Sequence, residues 1–253
     1  MLELNKIHLG DCLDLMKYIP DKSIDMILCD LPYGTTACKW DTIIPFEPLW
    51  EQYKRIVKDN GAIVLFGSQP FTSALIMSNP KMFKYEWIWD KHIPRNFINA
   101  KIMPMQKHEN ILIFGKGKIN YYPQMIERDK PVKVKNYSKG NSAYKLNNDG
   151  TDDKERIYTH RHPDTIIEGK WEANAGKLHP TQKPVSLCEY LIKTYTNEYD
   201  TVLDNCMGSG STIVACINTN RKYIGIEKEL KYFEIAKKRI ESVTAVQTEL
   251  KGV

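Results

Sequence analysis

Four consecutive residues have types that together could activate an amine: Asp30, Leu31, Pro32 and Tyr33. The carboxylate of Asp30 and the carbonyl of Leu31 could accept hydrogen bonds from both hydrogens of an exocyclic amine on a nucleobase. The nitrogen could then move toward tetrahedral geometry and attack a methyl sulfonium. Pro32 stiffens the turn, and Tyr33 could stack on a base that has left the duplex. The alternative is an ordinary turn that ends a strand.

A second group of candidate residues lies in the sequence DNCMGSGST, from Asp204 to Thr212. Gly208 and Gly210 would let the backbone approach a ligand closely, because glycine has no Cβ. The loop lacks the lysine that a nucleoside triphosphate site needs after its second glycine. It also carries Ile213 where a dinucleotide site needs a small residue, so that interpretation is weakened.

An adenosine without a pyrophosphate fits this loop better. Glu227 ends the next predicted strand, where its carboxylate could accept both hydroxyls of a ribose. Asp204 could bind an α-amino group. S-adenosylmethionine is the common cofactor of that description, and a tight turn with ordinary packing glycines is the alternative.

The elements around these residues alternate as expected of βα units in a mostly parallel sheet. Ligands of open α/β sheets bind outside the carboxyl ends of the strands, so Asp30, Asp204 and Glu227 should open onto one crevice. Strands are predicted at Ser23–Asp30, Ala62–Phe66, Glu86–Lys91, Glu109–Phe114, Thr201–Asn205 and Tyr223–Glu227. Helices are predicted at Trp50–Lys58, Pro184–Tyr195, Ser209–Asn218 and Leu230–Val243, with Asp59, Asn60 and Gly61 as a break before the second strand. Within the segment GSQPFTSALIMSN at 67–79, Pro70 suits the first turn of a further helix.

Two polar segments interrupt this pattern. Residues 115–176 show no sustained period, and Gly115–Lys170 contain twelve Lys or Arg against eight Asp or Glu. We interpret this segment as an insertion with recognition loops, and a solvated surface excursion is the alternative. The loop from His92 to Lys107 could contact phosphates and the gap left by a flipped base, or form a solvated hairpin. Its polar, basic and aromatic residues, with Lys91 just before it, are Lys91, Arg95, Asn96, Phe97, Asn99, Lys101 and Lys107.

The composition sets limits on the class of protein. With 253 residues, 42% hydrophobic and 26% charged, the chain can form one substantial core and a small appendage. It has no long apolar stretch and no secretory signal pattern, so we expect an intracellular protein without membrane contact. Its six cysteines form no CxxC pair and are expected to be reduced. The net charge of +5 is compatible with a polyanionic partner.

Histidines do not suggest a metal site. His160, His162 and His179 have no nearby Cys or carboxylate spacing that would complete one, so no metal is expected.

Four motifs in a fixed order resemble the beta group of DNA amino-methyltransferases. They are DLPYG at 30–34, HPTQKP at 179–184, DNCMGSGST at 204–212 and YIGIEKE at 223–229. In that family the catalytic tetrapeptide precedes the target-recognition region and the cofactor motif follows it, as in this chain. The resemblance extends to Gly10-Asp11, to AIVLFGSQPF and to the stretch from WIWDK to HENILIFGK.

The resemblance implies an α/β fold, the Rossmann-like class I methyltransferase, with a doubly wound, mostly parallel sheet. Residues 1–114 and 177–253 would form the catalytic domain, and 115–176 a polar target-recognition insert. Asp30, Leu31, Pro32 and Tyr33 would form the catalytic pocket. S-adenosyl-L-methionine would be held by Asp204, Cys206, Gly208, Gly210, Ser211, Thr212 and Glu227, with Asp11 near its adenine and Lys183 or nearby backbone near its carboxylate. Leu31, in place of a Pro or Ser-like residue, and Cys206, in place of an aromatic, depart from the family pattern.

The implied reaction is methyl transfer to the N6 amine of adenine in double-stranded DNA, by base flipping and direct attack. The initial Asp30 favours adenine; cytosine N4 is the near alternative, and RNA or a protein amide the farther one. An inactive DNA-binding module of the same fold is the runner-up. None of the six cysteines follows a proline, which disfavours covalent carbon-5 chemistry. We expect a monomer or a homodimer in the cytoplasm of a bacterium, encoded by the bacterium or by a phage. A cognate restriction endonuclease is a candidate partner on which the sequence itself is silent.

Overall fold

A computed structural model describes residues 1–35, 38, 41–134, 156–168 and 182–251. The strands are β1 (Lys6–Leu9), β2 (Ile24–Cys29), β3 (Val57–Gly67), β4 (Phe83–Arg95), β5 (Gln106–Phe114), β6 (Ile126–Val134), β7 (Arg156–Arg161), β8 (Ile166–Ile167), β9 (Thr201–Asp204) and β10 (Lys222–Glu227). The helices are α1 (Cys12–Leu15), α2 (Phe46–Ile56), α3 (Phe71–Ser78), α4 (Val185–Tyr195), α5 (Ser211–Asn218) and α6 (Leu230–Lys251), with short 3-10 turns at Met16–Tyr18 and Phe97–Asn99.

Eight strands form one sheet in the order β1-β10-β9-β2-β3-β5-β4-β8. Neighbouring strands are parallel except at β5, which is antiparallel to both β3 and β4. The predicted mostly parallel sheet is therefore confirmed. In its interior β2 lies beside β9, where Met26 pairs with Val202 and Ile27 with Leu203, so distant parts of the chain meet there.

Helices cover both faces of this sheet. In β2, Met26 and Leu28 pack in one cluster with residues of α4, α5 and α6. Ile27 and Cys29 alternate with them and pack in a second cluster with residues of α1, α2 and α3. Every residue of β2 is therefore buried, as its continuous apolar run predicts. None of the described helices is long and apolar enough to cross a membrane.

The junction between α2 and β3 differs from the prediction. The helix spans Phe46–Ile56, and Val57 already begins the strand. Residues 59–61 lie inside β3, and a shift in its register with β2 accommodates them. A Cβ on Gly61 would come 2.8 Å from the carbonyl oxygen of Asp25, so this glycine permits close approach to β2. The predicted break was wrong because a glycine in a polar triplet was interpreted as a turn.

Other strands also depart from the prediction. β4 extends four residues into the predicted loop from His92, because its end still pairs with β5 through Arg95 and Gln106. The short edge strand β1 was not predicted.

Residues 123–164 form a separate unit in which β6 and β7 pair as an antiparallel ribbon. The sequence predicts no strand in this segment, because its exposed residues have no apolar face that would produce a period of two. Residues 135–155 and 169–176 of the predicted insert lie outside the described residues.

Candidate active site

The three predicted acids lie at the carboxyl ends of neighbouring strands. Asp30 directly follows β2, Asp204 ends β9 and Glu227 ends β10. These strands are adjacent and parallel in the order β10-β9-β2. The structure thus brings the tetrapeptide Asp30–Tyr33 and the glycine loop to one edge of the sheet.

The carboxylate of Asp30 is held by two side chains. The Tyr33 hydroxyl donates to Oδ1 at 2.7 Å, and Nζ of Lys183 donates to Oδ2 at 2.5 Å. The same Nζ lies 3.2 Å from Oε2 of Glu109, whose other oxygen pairs with Lys91. Lys183 is 8% exposed, and two carboxylates compensate its charge inside the protein.

The ionisation of this cluster follows from burial and mutual charge. Burial raises the pKa of Asp30, and the Lys183 ammonium opposes that rise. Burial alone would lower the pKa of Lys183, but Asp30 and Glu109 raise it above its ordinary value. Burial alone would raise the pKa of Glu109, but Lys183 and Lys91 lower it below its ordinary value. Lys183 is therefore an ammonium and Glu109 a carboxylate near neutral pH.

The turn after Asp30 is fixed on both sides. The Tyr33 ring stacks on Phe71, with ring centroids 4.9 Å apart, and burial raises the pKa of its hydroxyl well above the ordinary value. Leu31 is buried. The backbone N–H groups of Gly34 and Thr35 donate to the carboxylate of Asp41 at 2.8 and 2.9 Å. These contacts orient the tetrapeptide.

Two acids in these contacts, Asp41 and Glu109, were missed by sequence reasoning. Asp41 is buried although it lies in a loop, which no local pattern indicates. Glu109 opens the predicted strand Glu109–Phe114, and an acid at the head of a buried apolar run was the available signal.

The glycine loop has the backbone that its residues predict. Gly208 and Gly210 have φ angles of +53° and +78°, in the left-handed region that favours glycine. The N–H of Gly208 donates to Oε2 of Glu227 at 2.8 Å, and that of Glu229 donates to Oε1 at 2.8 Å. Arg239 donates to the carbonyl of Ser209 at 3.1 Å. The loop is thereby held against the end of β10.

Asp204 lies beneath this loop and is 3% exposed. It accepts the N–H of Cys206 at 3.2 Å, and burial raises its pKa to about 7. Ser211 and Thr212 begin α5 and are also buried. Cys206, which stands where an aromatic is usual, is partly buried and lies 3.5 Å from Nδ2 of Asn205.

One short segment touches both groups of candidate residues. Gln182 accepts a hydrogen bond from the Ser209 hydroxyl at 3.2 Å, and the next residue, Lys183, binds Asp30. Residues 179–181 of the HPTQKP motif lie outside the described residues. Lys183, which the resemblance places near a cofactor carboxylate, is therefore found paired with Asp30.

Asp11 lies beside the end of β10. Its side chain caps α1 by accepting the N–H of Leu13 at 2.9 Å, and it pairs with Lys228 at 3.1 Å. The preceding Gly10 donates its N–H to the carbonyl of Glu227 at 2.9 Å. Asp11 thus lies at the same edge of the sheet as Glu227, the candidate ribose acceptor.

The cysteine beside Asp30 is not activated as a nucleophile. The thiol next to Asp30 belongs to Cys29, and burial raises its pKa to about 12, which keeps it protonated. Across the described parts of the chain, no group of three or more His, Cys, Asp or Glu is placed to hold a metal ion.

Comparison with known proteins adds four findings. Residues 24–238 match the family N6_N4_Mtase, described as DNA methylase. The type II methyltransferase M2.MboI of Moraxella bovis is 30% identical over 265 residues, which cover 95% of this chain and 89% of the relative. The crystal structure of an M1.HpyAVI–SAM complex is 28% identical, with a TM-score of 0.61, and covers 93% of this chain and 98% of that one. The PvuII cytosine-N4-specific DNA methyltransferase shares the fold, with a TM-score of 0.63 at 16% identity over 95% of this chain and 90% of that one.

Asp204→Asn should stabilise the ligand-free protein more at pH 8 than at pH 5. Because the folded-state pKa of Asp204 is raised, the stability that its protonated form contributes is complete below the unfolded-state pKa and is lost as the pH rises through about 7. The neutral amide avoids this loss. Thermal unfolding at both pH values measures the difference in stabilisation. A change of 1 kcal/mol in the free energy of unfolding shifts the melting temperature by roughly 2–4 °C for a chain of this size. The exposed Asp14→Asn is the control, and an equal change at both pH values would contradict the burial of a titrating Asp204.

Proposed function

The chain belongs to the DNA methylase family that residues 24–238 match, and within it we propose that the protein methylates the N6 amine of adenine in duplex DNA. As a family member it is an S-adenosylmethionine-dependent DNA amino-methyltransferase. The observation that carries the finer proposal is Asp30, which opens the tetrapeptide and lies beside the glycine loop on the adjacent strand. An initial Asp favours adenine by the family resemblance.

Asp30 and the carbonyl of Leu31 would accept the two hydrogens of the target amine. Tyr33 and Lys183 each occupy one oxygen of Asp30, and a carboxylate oxygen has a further lone pair for the substrate. Withdrawing the amine hydrogens from the plane of the base makes the nitrogen a nucleophile. The ammonium of Lys183 favours the charged, accepting form of Asp30 against its burial.

The residues of the glycine loop fit S-adenosylmethionine. The cofactor supplies an electrophilic methyl group when it is bound. Each oxygen of Glu227 accepts one backbone N–H, which leaves lone pairs for two ribose hydroxyls. Gly208 and Gly210 would pass close to the ligand, Asp204 would bind its amino group, and Asp11 would lie near its adenine. A contact of Lys183 with the cofactor carboxylate stays a prediction.

Residues 115–176 are proposed to read the target sequence. The β6–β7 ribbon within them is of the kind that the DNA major groove admits. Its exposed side chains include Lys130 and Tyr158. The relative M2.MboI is named a type II methyltransferase, which supports a site-specific enzyme. A cognate restriction endonuclease stays a prediction. The target base must leave the duplex, because its amine is otherwise inside the helix.

The product of the reaction tests this proposal. Incubation with methyl-labelled S-adenosylmethionine and mixed-sequence DNA, followed by digestion to nucleosides, should yield N6-methyladenine nucleoside. N4-methylcytosine would overturn the acceptor, and no methylated nucleoside would overturn the activity.

The variant Asp30→Asn tests the catalytic assignment. Its methylation rate should fall by about 10²- to 10⁴-fold, while cofactor binding, measured by calorimetry, persists. Asp14→Asn is the matched control, and a near-normal rate for Asp30→Asn would refute the catalytic assignment.

Gly208→Val should weaken cofactor binding at least tenfold, since a β-branched residue is strained by about 1–3 kcal/mol at this positive φ. Gly117→Val is the control, because a Cβ there has only one neighbouring atom, at 3.7 Å. Calorimetry gives the affinity and circular dichroism the folded state. Unchanged affinity in a folded Gly208→Val protein would show that this loop does not hold the cofactor.

A further inference from the structure

We propose that residues 92–105, the hairpin tip between β4 and β5, form an apolar wedge that enters the DNA base stack beside the target base. The wedge would occupy the space that the flipped base leaves and so keep that base in the catalytic pocket. This inference rests on the proposed function, because only an enzyme that flips its base needs such an element.

The hairpin tip exposes large apolar side chains. The exposed fractions are 68% for Ile93, 78% for Phe97, 81% for Ile98 and 78% for Ile102. Single exposed apolar residues are ordinary on protein surfaces. Four within ten residues, at this level of exposure, indicate a contact surface.

Internal hydrogen bonds give the hairpin tip a defined shape. Asn96 adopts a φ of +67° and precedes the 3-10 turn Phe97–Asn99. Its side chain accepts a hydrogen bond from Asn99 at 3.0 Å and lies 3.8 Å from the sulfur of Met103. The N–H groups of Ile102 and Met103 both donate to the carbonyl of Asn99 at 3.0 Å. Phe97 and Ile98 are therefore presented from a closed turn.

The sheet directs the hairpin tip to the edge that holds Asp30. Because β5 is antiparallel to β3 and β4 is antiparallel to β5, β4 runs in the direction of β2 and ends at the same edge. The base of the hairpin carries the Lys91–Glu109 pair, and Glu109 lies 3.2 Å from the Lys183 ammonium that binds Asp30. Two ion pairs thus connect the hairpin to the catalytic carboxylate.

The positive charge of the hairpin tip favours DNA as its partner. Residues 91–107 contain four Lys or Arg and no Asp or Glu. Lys91 and Lys107 pair with Glu109 and Asp90 at the base of the hairpin, so the charges of the tip itself are those of Arg95 and Lys101. Arg95 and Lys101 are exposed within the hairpin tip. A symmetric contact with a second copy would bring these like charges together, whereas DNA phosphates neutralise them. Apolar side chains inserted between base steps are a known means of unstacking DNA.

The test compares two duplexes that carry the recognition site, which sequencing of methylated DNA identifies first. In one the target base is paired, and in the other it faces a mismatch that already weakens its stacking. The double variant Phe97→Ala/Ile98→Ala should lose about 10- to 100-fold in kcat/KM on the paired duplex. On the mismatched duplex the loss should fall to about threefold or less, with unchanged cofactor affinity.

Met77→Ala is the control, since Met77 is 72% exposed on α3 and lies outside the hairpin tip. Equal losses on both duplexes, or no loss on either, would overturn the wedge while leaving the proposed function intact. A wild-type protein that methylates no base would instead overturn the proposed function. Sedimentation that shows a wild-type dimer and a monomeric double variant would identify a second copy as the partner and would also overturn the wedge.

Discussion

The ion pair between Lys183 and Asp30 is the contact on which the arrangement of the site depends. It joins residues 153 positions apart at a distance of 2.5 Å. Breaking a buried ion pair by removing one partner is strongly destabilising, because the other charge loses its compensation. Here a single ammonium compensates two carboxylates, Asp30 and Glu109. Its removal would therefore change the ionisation of both acids.

The order of the strands makes this contact possible. The pairing of β2 with β9 places the catalytic turn beside the glycine loop, and the reversal at β5 brings Glu109 to the same edge. The segment that begins with Gln182 and Lys183 then lies across both groups, because Gln182 binds Ser209. The tetrapeptide, the glycine loop and the hairpin tip are thus arranged along one sheet edge. The proposed chemistry uses side chains that the fold has already oriented.

Local patterns in the sequence were sufficient for the residues whose role depends on their neighbours in the chain. Asp30 ends a continuous apolar run, and Gly208 lies in a turn that requires a positive φ, so both were predicted. The pairing of Lys183 with Asp30 and the role of Glu109 depend on strand order, which no local pattern contains. The ribbon β6–β7 was missed for a related reason. Its exposed strands have no apolar face to produce a period of two.

The pH dependence of methylation by Lys183→Met tests most directly whether this ammonium keeps Asp30 charged. Loss of the positive charge should raise the pKa of Asp30 further, so the acidic limb of the single-turnover rate should move to higher pH by about one unit or more. Lys183→Arg keeps the charge and should leave the limb near its wild-type position. A Lys183→Met enzyme whose rate falls by the same factor at every pH, with the limb unmoved, would contradict the account.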